Sequence, residues 1–186
     1  MSSLVVFFIV LALIGVFVVF IYNQLVTLKH NVGKSWSNID VLLKQRHDEI
    51  PKLIKTCEAY MKFEKDTLSR VIELRTQAQG ATGVGERAGR EAALSIGLQR
   101  LFAVAENYPD LKSQASFQQL QGRISELENQ IADRREFYNE SVNNYNIRIQ
   151  SMPDLFVANF MGLAPQEMFK IAEADRQDPP IDIKQP

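Results

Sequence analysis

The sequence has too few cysteine and histidine residues for a disulfide framework or a metal site. Cys57 is the only cysteine among 186 residues, and a lone cysteine usually packs as a small apolar side chain. His30 and His47 are seventeen positions apart, whereas two metal ligands on one helix need a spacing of about three or four. We therefore predict no metal and no other cofactor, a core position for Cys57 and solvent-facing histidines.

The sequence also lacks an excess of charge of either sign. Its 21 basic and 22 acidic residues are mixed along the chain and give a net charge of −1. A nucleic-acid-binding protein needs a basic patch that neutralises phosphates, so we predict no nucleic-acid partner. The sequence also shows no nucleophile–base pair, and nothing in it would hold two carboxylates in one shared cleft. The sequence therefore predicts no catalytic residues and a protein that is not an enzyme.

Glycine and proline are scarce and clustered, which favours long uninterrupted helices. The main exception is Gly80–Gly89, where glycines occur at a G-x-x-G-x-G spacing. A phosphate-binding loop would need a preceding strand and a following Gly-Lys-Ser/Thr, and neither is present. We interpret this stretch as a flexible or weakly helical connection between helices.

The chain does contain one long apolar run near its N-terminus. Leu4–Ile21 comprises eighteen residues without a charge, or about 27 Å of helix, close to the thickness of a bilayer core. We predict a transmembrane anchor over residues 4–22, with Tyr22 as its interfacial aromatic residue. A cleaved signal peptide is the alternative, but the run has no basic region before it and no small-residue cleavage site at its end.

Charges after the apolar run predict the orientation of the anchor. Basic side chains accumulate over residues 29–46, with only Asp40 against them. The positive-inside rule then predicts a cytoplasmic C-terminal domain and a short external tail of residues 1–3. The sequence therefore predicts a protein that crosses its membrane once.

Apolar residues at steps of three and four predict an all-α domain over residues 23–174. The steps predict a first helix from Leu25 through about Ala78, a second over 90–107 and a third over 117–152. Pro51 should kink the first helix or start a new segment. A short C-terminal helix should run from Pro165 to Ala174, and residues 175–186 should be extended or disordered. Short connections predict an elongated antiparallel bundle of the three long helices.

Asparagines form a first candidate site at the membrane-proximal end of this predicted bundle. Asparagine is a mediocre helix former, so its repeated use needs a compensating reason. In an antiparallel pairing, three asparagines of the third helix could face three of the first: Asn139, Asn143 and Asn146 facing Asn38, Asn31 and Asn23. Their amides could bridge the helices and set the register. Alternatively, they could line a cleft for a polar ligand.

Arg46 and Arg134 form a second candidate, because both occupy seam positions where leucine is expected. Their stems could lie along the bundle with the guanidinium groups in water. Alternatively, the two side chains could form a buried polar layer that fixes the register or receives an anion. Such a layer would need acidic partners, and the candidates are Asp48, Glu49, Glu136 and Glu140.

The order of several local motifs resembles that of the LemA family. The stretches that carry the resemblance are Tyr22-Asn23-x-Leu25-Val26, the run from Trp36 to Leu53, Tyr138-Asn139-x-x-Val142-x-x-Tyr145-Asn146, and Met152-Pro153 followed by Gly162 and Phe169. They extend over essentially the whole chain. The resemblance implies a bacterial single-pass membrane protein with a cytoplasmic antiparallel helical domain. It implies no established enzymatic activity, so it supplies no catalytic residues.

Two functions therefore remain open from the sequence. The first is a membrane-anchored, non-catalytic interaction or scaffold protein. Its helical surfaces would bind a protein partner or a second copy, while Leu4 to Tyr22 contact the lipid bilayer. The second is a membrane-proximal module that binds a lipid headgroup or a small polar ligand through the asparagine-rich end.

Overall fold

The computed structural model describes residues 2–170, and these are all-helical, with no strand among them. This confirms the predicted fold class at the level of an all-α protein with one long apolar N-terminal helix. The helices are α1 (Ser2–Glu58), α2 (Lys65–Gly80), α3 (Val84–Ala105), α4 (Pro109–Lys112), α5 (Ala115–Gln150) and α6 (Asp154–Phe160).

The apolar run and the first amphipathic stretch form one continuous helix, α1. No new segment begins at Pro51, which lies inside α1. Proline has no N–H to bond the carbonyl four positions earlier, which here belongs to His47. That oxygen instead accepts a hydrogen bond from Arg75 Nε on α2 at 2.9 Å. A side chain from the neighbouring helix therefore supplies the missing donor.

The N-terminal part of α1 is exposed on all sides. Large apolar side chains from Leu4 to Phe20 have between 44% and 69% of their surface accessible. Among the described residues, this is the single helix long and apolar enough to cross a membrane. A core helix of a soluble protein would bury these side chains, so the exposure matches the environment of a bilayer.

Within the described residues, the chain divides into two compact units. The first, which we call the anchor unit, combines residues 2–40 with 134–168. The second, the central unit, combines 41–133 with the start of the C-terminal segment at 169–170. Both α1 and α5 contribute to each unit, because the boundaries at residues 40 and 133 fall inside these helices.

The central unit has a continuous apolar core built from five helices. The core includes Ile50, Leu53 and Cys57 of α1, Leu68, Val71 and Leu74 of α2, Leu94, Leu98 and Leu101 of α3, Leu111 of α4, and Phe117 and Ile124 of α5. These residues recur at the spacings of three and four that predicted helices. Cys57 is fully buried, as predicted.

Two helix boundaries in the central unit differ from the prediction. The predicted first helix, from Leu25 through Ala78, is divided by a turn after Glu58, and α2 begins at Lys65. No glycine or proline marks this turn, which backbone bonds to the carbonyl of Cys57 help to close. The loop in the glycine-rich stretch is confined to 81–83. Gly83 has a φ of 89°, and α3 begins at Val84 rather than at residue 90.

The C-terminal part also differs from the prediction. Residues 165–170 are not helical, so the described part of the predicted Pro165–Ala174 helix is absent. The short helix that does form is α6, immediately after Pro153. The rest of that predicted helix and the predicted tail, 175–186, lie outside the described residues.

In the anchor unit, early residues of α1 contact late residues of α5. Ser35 Oγ and Ser141 Oγ are 3.1 Å apart, and the Trp36 and Tyr138 rings have centroids 5.5 Å apart. Nearer the apolar run, Arg148 Nη2 donates to Gln24 Oε1 at 2.6 Å. These contacts fix which parts of the two helices lie side by side.

Candidate functional site

A buried cluster of charged and polar side chains, which we call the polar layer, lies in the central unit. Its members come from three helices: Arg46 and His47 of α1, Glu91 and Ser95 of α3, and Glu128 of α5. Arg46 has 1% of its surface exposed, Glu91 3% and His47 4%. The layer therefore places an arginine and a carboxylate at positions that water hardly reaches.

The guanidinium of Arg46 connects the three helices. Its Nη2 donates to Glu91, and its Nη1 donates to Glu128 and to Ser95 Oγ, the latter at 2.9 Å. Ser95 in turn lies 2.9 Å from the other oxygen of Glu128. Because Arg46 has two carboxylate partners on different helices, its position depends on α3 and α5 together.

His47 completes the hydrogen bonding of Glu91. Its Nε2 is 2.9 Å from Glu91 Oε1, while Arg46 contacts Oε2 of the same carboxylate. Burial raises the pKa of Glu91, but the hydrogen bond from His47 and the charge of Arg46 outweigh burial. The pKa of Glu91 is therefore held below its ordinary value, and the carboxylate stays ionised at neutral pH.

The polar layer agrees only in part with the sequence prediction. Arg46 is buried, so the alternative in which its guanidinium reaches water is wrong, and the alternative of a buried polar layer holds for this arginine. Its partners are Glu91 and Glu128, not the four acids proposed from the sequence, and Arg134 is exposed and outside the layer. His47, predicted to face solvent, is buried because it packs beside Glu91.

One signal in the sequence could have found Glu91. Leu94, Leu98 and Leu101 form the buried stripe of α3, and a step of three back from Leu94 reaches Glu91. An acid on a buried stripe needs a cationic partner. Arg46, which occupies a seam position of α1 where leucine is expected, was the available cation.

The six asparagines of the first candidate are not all used alike. Four are exposed: Asn23, Asn31, Asn38 and Asn143. Asn139 and Asn146 are partly buried. Asn146 bonds the backbone of Gln166 in both directions, with its Nδ2 2.9 Å from the carbonyl and its Oδ1 2.8 Å from the amide nitrogen.

Two tyrosines extend this contact along α5 in the anchor unit. The hydroxyl of Tyr138 donates to the Glu167 carbonyl at 2.8 Å, and that of Tyr145 donates to the Ala164 carbonyl at 3.1 Å. Burial raises the pKa of both hydroxyls, so they stay protonated as donors. The repeated Tyr-Asn motif thus holds residues 164–167 against α5. We call these contacts the clamp.

No group of three or more metal-binding side chains occurs within residues 2–170. In the polar layer, both oxygens of Glu91 and both terminal nitrogens of Arg46 are already bonded within the protein. The arrangement fixes the position of three helices relative to one another inside the central unit.

Comparison with known proteins gives one family. A sequence profile of the LemA family matches residues 35–183. Magnetosome protein MamQ 2 of Paramagnetospirillum magneticum is 28% identical, over 86% of this chain and 68% of the relative. Magnetosome protein MamQ of Magnetospirillum gryphiswaldense is 25% identical with the same coverage. Protein LemA of Metamycoplasma hominis is 26% identical, over 89% of this chain and 77% of the relative.

The fold defines an all-helical protein with one N-terminal helix able to cross a membrane. Because the family profile covers well over half of the sequence, the chain belongs to the LemA family. This confirms the resemblance found in the motifs. The apolar helix and the relatives together indicate a membrane-associated protein.

Proposed function

We propose that this protein is a membrane-anchored, non-catalytic scaffold whose helical surfaces bind a protein partner or a second copy. It would cross the inner membrane once through α1, with the N-terminus outside and the helical domain in the cytoplasm. The observation that carries the proposal is the continuity of α1. A single helix includes both the exposed apolar run and core residues of the central unit.

The proposed architecture is an antiparallel helical bundle. In support, Ser35 lies beside Ser141, whereas Gln24, eleven residues earlier on α1, lies beside Arg148, seven residues later on α5. Such a bundle presents long helical faces. Long faces of this kind suit the binding of other helices.

Exposed apolar side chains of the central unit provide two candidate binding positions. Phe63 is 96% exposed in the turn before α2, and Ile96 is 59% exposed on α3. Single exposed apolar residues are common on protein surfaces. Phe63 nevertheless leaves a full aromatic side chain in water, and aromatic residues are enriched where proteins bind one another.

Photo-crosslinking in native membranes tests the scaffold proposal. A photoreactive phenylalanine analogue would replace Phe63 or Ile96 in the full-length protein, and the same analogue at exposed Asn129 would serve as the matched control. We expect one reproducible crosslinked species from the first two positions and none from the control. Absence of any such species, with a monomer in mild detergent, would contradict the proposal.

The second candidate function is binding of a lipid headgroup or small polar ligand by the anchor unit. It is favoured by the exposure of Asn31 and Asn143, whose amides are open to solvent near the apolar run. The test is a thermal-shift series with phosphatidylglycerol micelles and with inorganic phosphate. A melting temperature that responds to neither probe, in the native protein and in Asn143→Leu alike, would eliminate this candidate.

A further inference from the structure

The helix α6 has an apolar side turned toward solvent. Asp154 and Ala158, four residues apart, are buried. Phe156 and Phe160 lie on the other side of this short helix and are 66% and 93% exposed. Met152, just before α6, is 74% exposed. A surface helix normally places polar side chains on its outer face, whereas the outer face of α6 is apolar.

Contacts of Arg148 locate α6 beside the end of the apolar run. Arg148 Nη2 bonds Gln24 of α1, and the same guanidinium forms an ion pair with Asp154 at the start of α6. On α1, Tyr22 lies two residues before Gln24. On α5, Gln150 lies two residues after Arg148 and is the last residue of the helix. Because both helices rise about 1.5 Å per residue, the end of α5 is level with Tyr22.

Burial at the end of the apolar run supports this placement. Ile21 is only 3% exposed, whereas its neighbours Phe20 and Tyr22 are 56% and 46% exposed. Other parts of the anchor unit therefore cover one side of α1 at the depth where the run ends. The chain then turns back, since Ala164 and Glu167 bond successively earlier tyrosines of α5. The α6 helix therefore lies at the end of the anchor unit nearest the predicted membrane.

The geometry points to a second lipid contact: the exposed face of α6, formed by Met152, Phe156 and Phe160, inserts into the interfacial layer of the same bilayer that holds the anchor. This inference rests on the proposed membrane anchorage and extends it. Aromatic side chains favour the headgroup boundary. Amphipathic helices bury an apolar face about 5–10 Å into that region. The occupant of the surface is lipid because α6 lies level with Tyr22, at the end of the predicted membrane span.

A fluorescence experiment on the full-length protein in liposomes tests the contact. The natural tryptophan is replaced by Trp36→Phe, and Phe160→Trp then provides a single probe. Phe137→Trp in the same background is the matched control, because Phe137 is 53% exposed on α5. It lies thirteen residues before Gln150, or about 20 Å along the helix. Liposomes with brominated acyl chains serve as the quencher.

We expect a blue-shifted emission and a loss of intensity in brominated lipid for the probe at position 160, and neither for the probe at 137. An alkaline wash separates the possible failures. Protein retained in the vesicles with an unquenched probe at 160 would overturn the α6 contact and leave the anchor intact. Protein removed by the wash would overturn both. A blue shift without quenching by lipid would assign the face to a protein neighbour and overturn the inference.

Discussion

The two units of the molecule hold their helices together with different chemistry. The central unit buries the ion pair of Arg46 and Glu91, with His47 hydrogen-bonded to the same carboxylate. The anchor unit relies mainly on neutral donors, since two tyrosine hydroxyls and an asparagine amide bond the backbone of 164–167. The anchor unit also has an ion pair, between buried Asp154 and partly exposed Arg148.

This difference sets the sensitivity of each unit to mutation. Removing one partner of a buried ion pair costs about 3–5 kcal/mol, because the other charge is left without compensation. A neutral hydrogen bond contributes about 0.5–1.5 kcal/mol. The central unit should therefore lose more stability per substitution, although replacing its whole ion pair with apolar residues should cost little.

The largest effect is expected for Arg46→Leu. The change leaves Glu91 buried with His47 as its remaining partner, so the free energy of unfolding should fall by about 3–5 kcal/mol. Urea unfolding followed by circular dichroism in detergent measures the loss. The double variant Arg46→Leu with Glu91→Leu should recover much of the stability, because neither charge then remains buried.

The matched control for that experiment is Arg70→Leu. Arg70 also pairs with a glutamate, Glu73, but both side chains are more than half exposed. An exposed pair contributes at most about 1 kcal/mol. If Arg46→Leu and Arg70→Leu lowered the free energy of unfolding equally, burial would not determine how much the polar layer contributes to stability.

In the anchor unit, Tyr145→Phe should have a smaller and more local effect. The variant loses one hydrogen bond, to the Ala164 carbonyl, at a cost of about 0.5–1.5 kcal/mol. Amide hydrogen exchange should accelerate in residues 164–168 and remain unchanged in α3. Tyr60→Phe, at an exposed tyrosine, is the control. Faster exchange throughout the protein would contradict a local role for the clamp.

The two units should also respond to opposite extremes of pH. The pKa of Glu91 is lowered from its ordinary value of 4.5, so its contribution is complete above that pH and is lost as pH falls through the lower folded value. The pKa of Tyr145 is raised from 10.0 by burial, so its contribution is lost as pH rises beyond that value.

Hydrogen exchange across a pH series resolves the two responses. On acidification, protection should decrease first in α3 of the central unit. In alkali it should decrease first in residues 164–168. Glu91→Gln should reduce the acid response and leave the alkaline response unchanged. The same pH dependence in both units would remove the distinction between them.

The sequence predicted the helical class and the long apolar N-terminal helix because both depend on local patterns. An uninterrupted apolar run and a repeat of three and four are visible in adjacent residues, as in Leu94, Leu98 and Leu101. The new segment expected as one alternative at Pro51 does not form, because a distant donor replaces the missing hydrogen bond. Arg75 supplies that donor from α2 and preserves the helix.

The candidate site was less predictable because its partners are far apart in the chain. Arg46 and Glu128 are separated by 82 positions, and Arg46 and Glu91 by 45. An arginine on a seam shows that a partner is needed, but it does not identify the partner. The turn after Glu58 was missed for a related reason. This turn contains no glycine or proline. It forms where the chain changes direction, so that α2 shares the core with α1.

The smallest effect concerns helix packing inside the central unit. A methyl group at Gly97 of α3 would approach Leu74 Cδ1 of α2 to 2.7 Å, whereas one at Gly122 of α5 would meet nothing within 4 Å. Glycine inside a helix costs about 0.5–1 kcal/mol relative to alanine. Gly122→Ala should therefore raise the free energy of unfolding by about that amount.

For Gly97→Ala, the same stabilisation from replacing a helical glycine is opposed by the contact with Leu74. Overpacking of this kind typically costs about 1–3 kcal/mol. The contact is with the end of a flexible side chain, so a cost near the lower limit is expected. The net change should be between zero and a loss of about 1 kcal/mol. Combining Gly97→Ala with Leu74→Val, which shortens the opposing side chain, should relieve the clash. An equal gain in stability from Gly97→Ala and Gly122→Ala would show that α2 and α3 do not approach closely at Gly97.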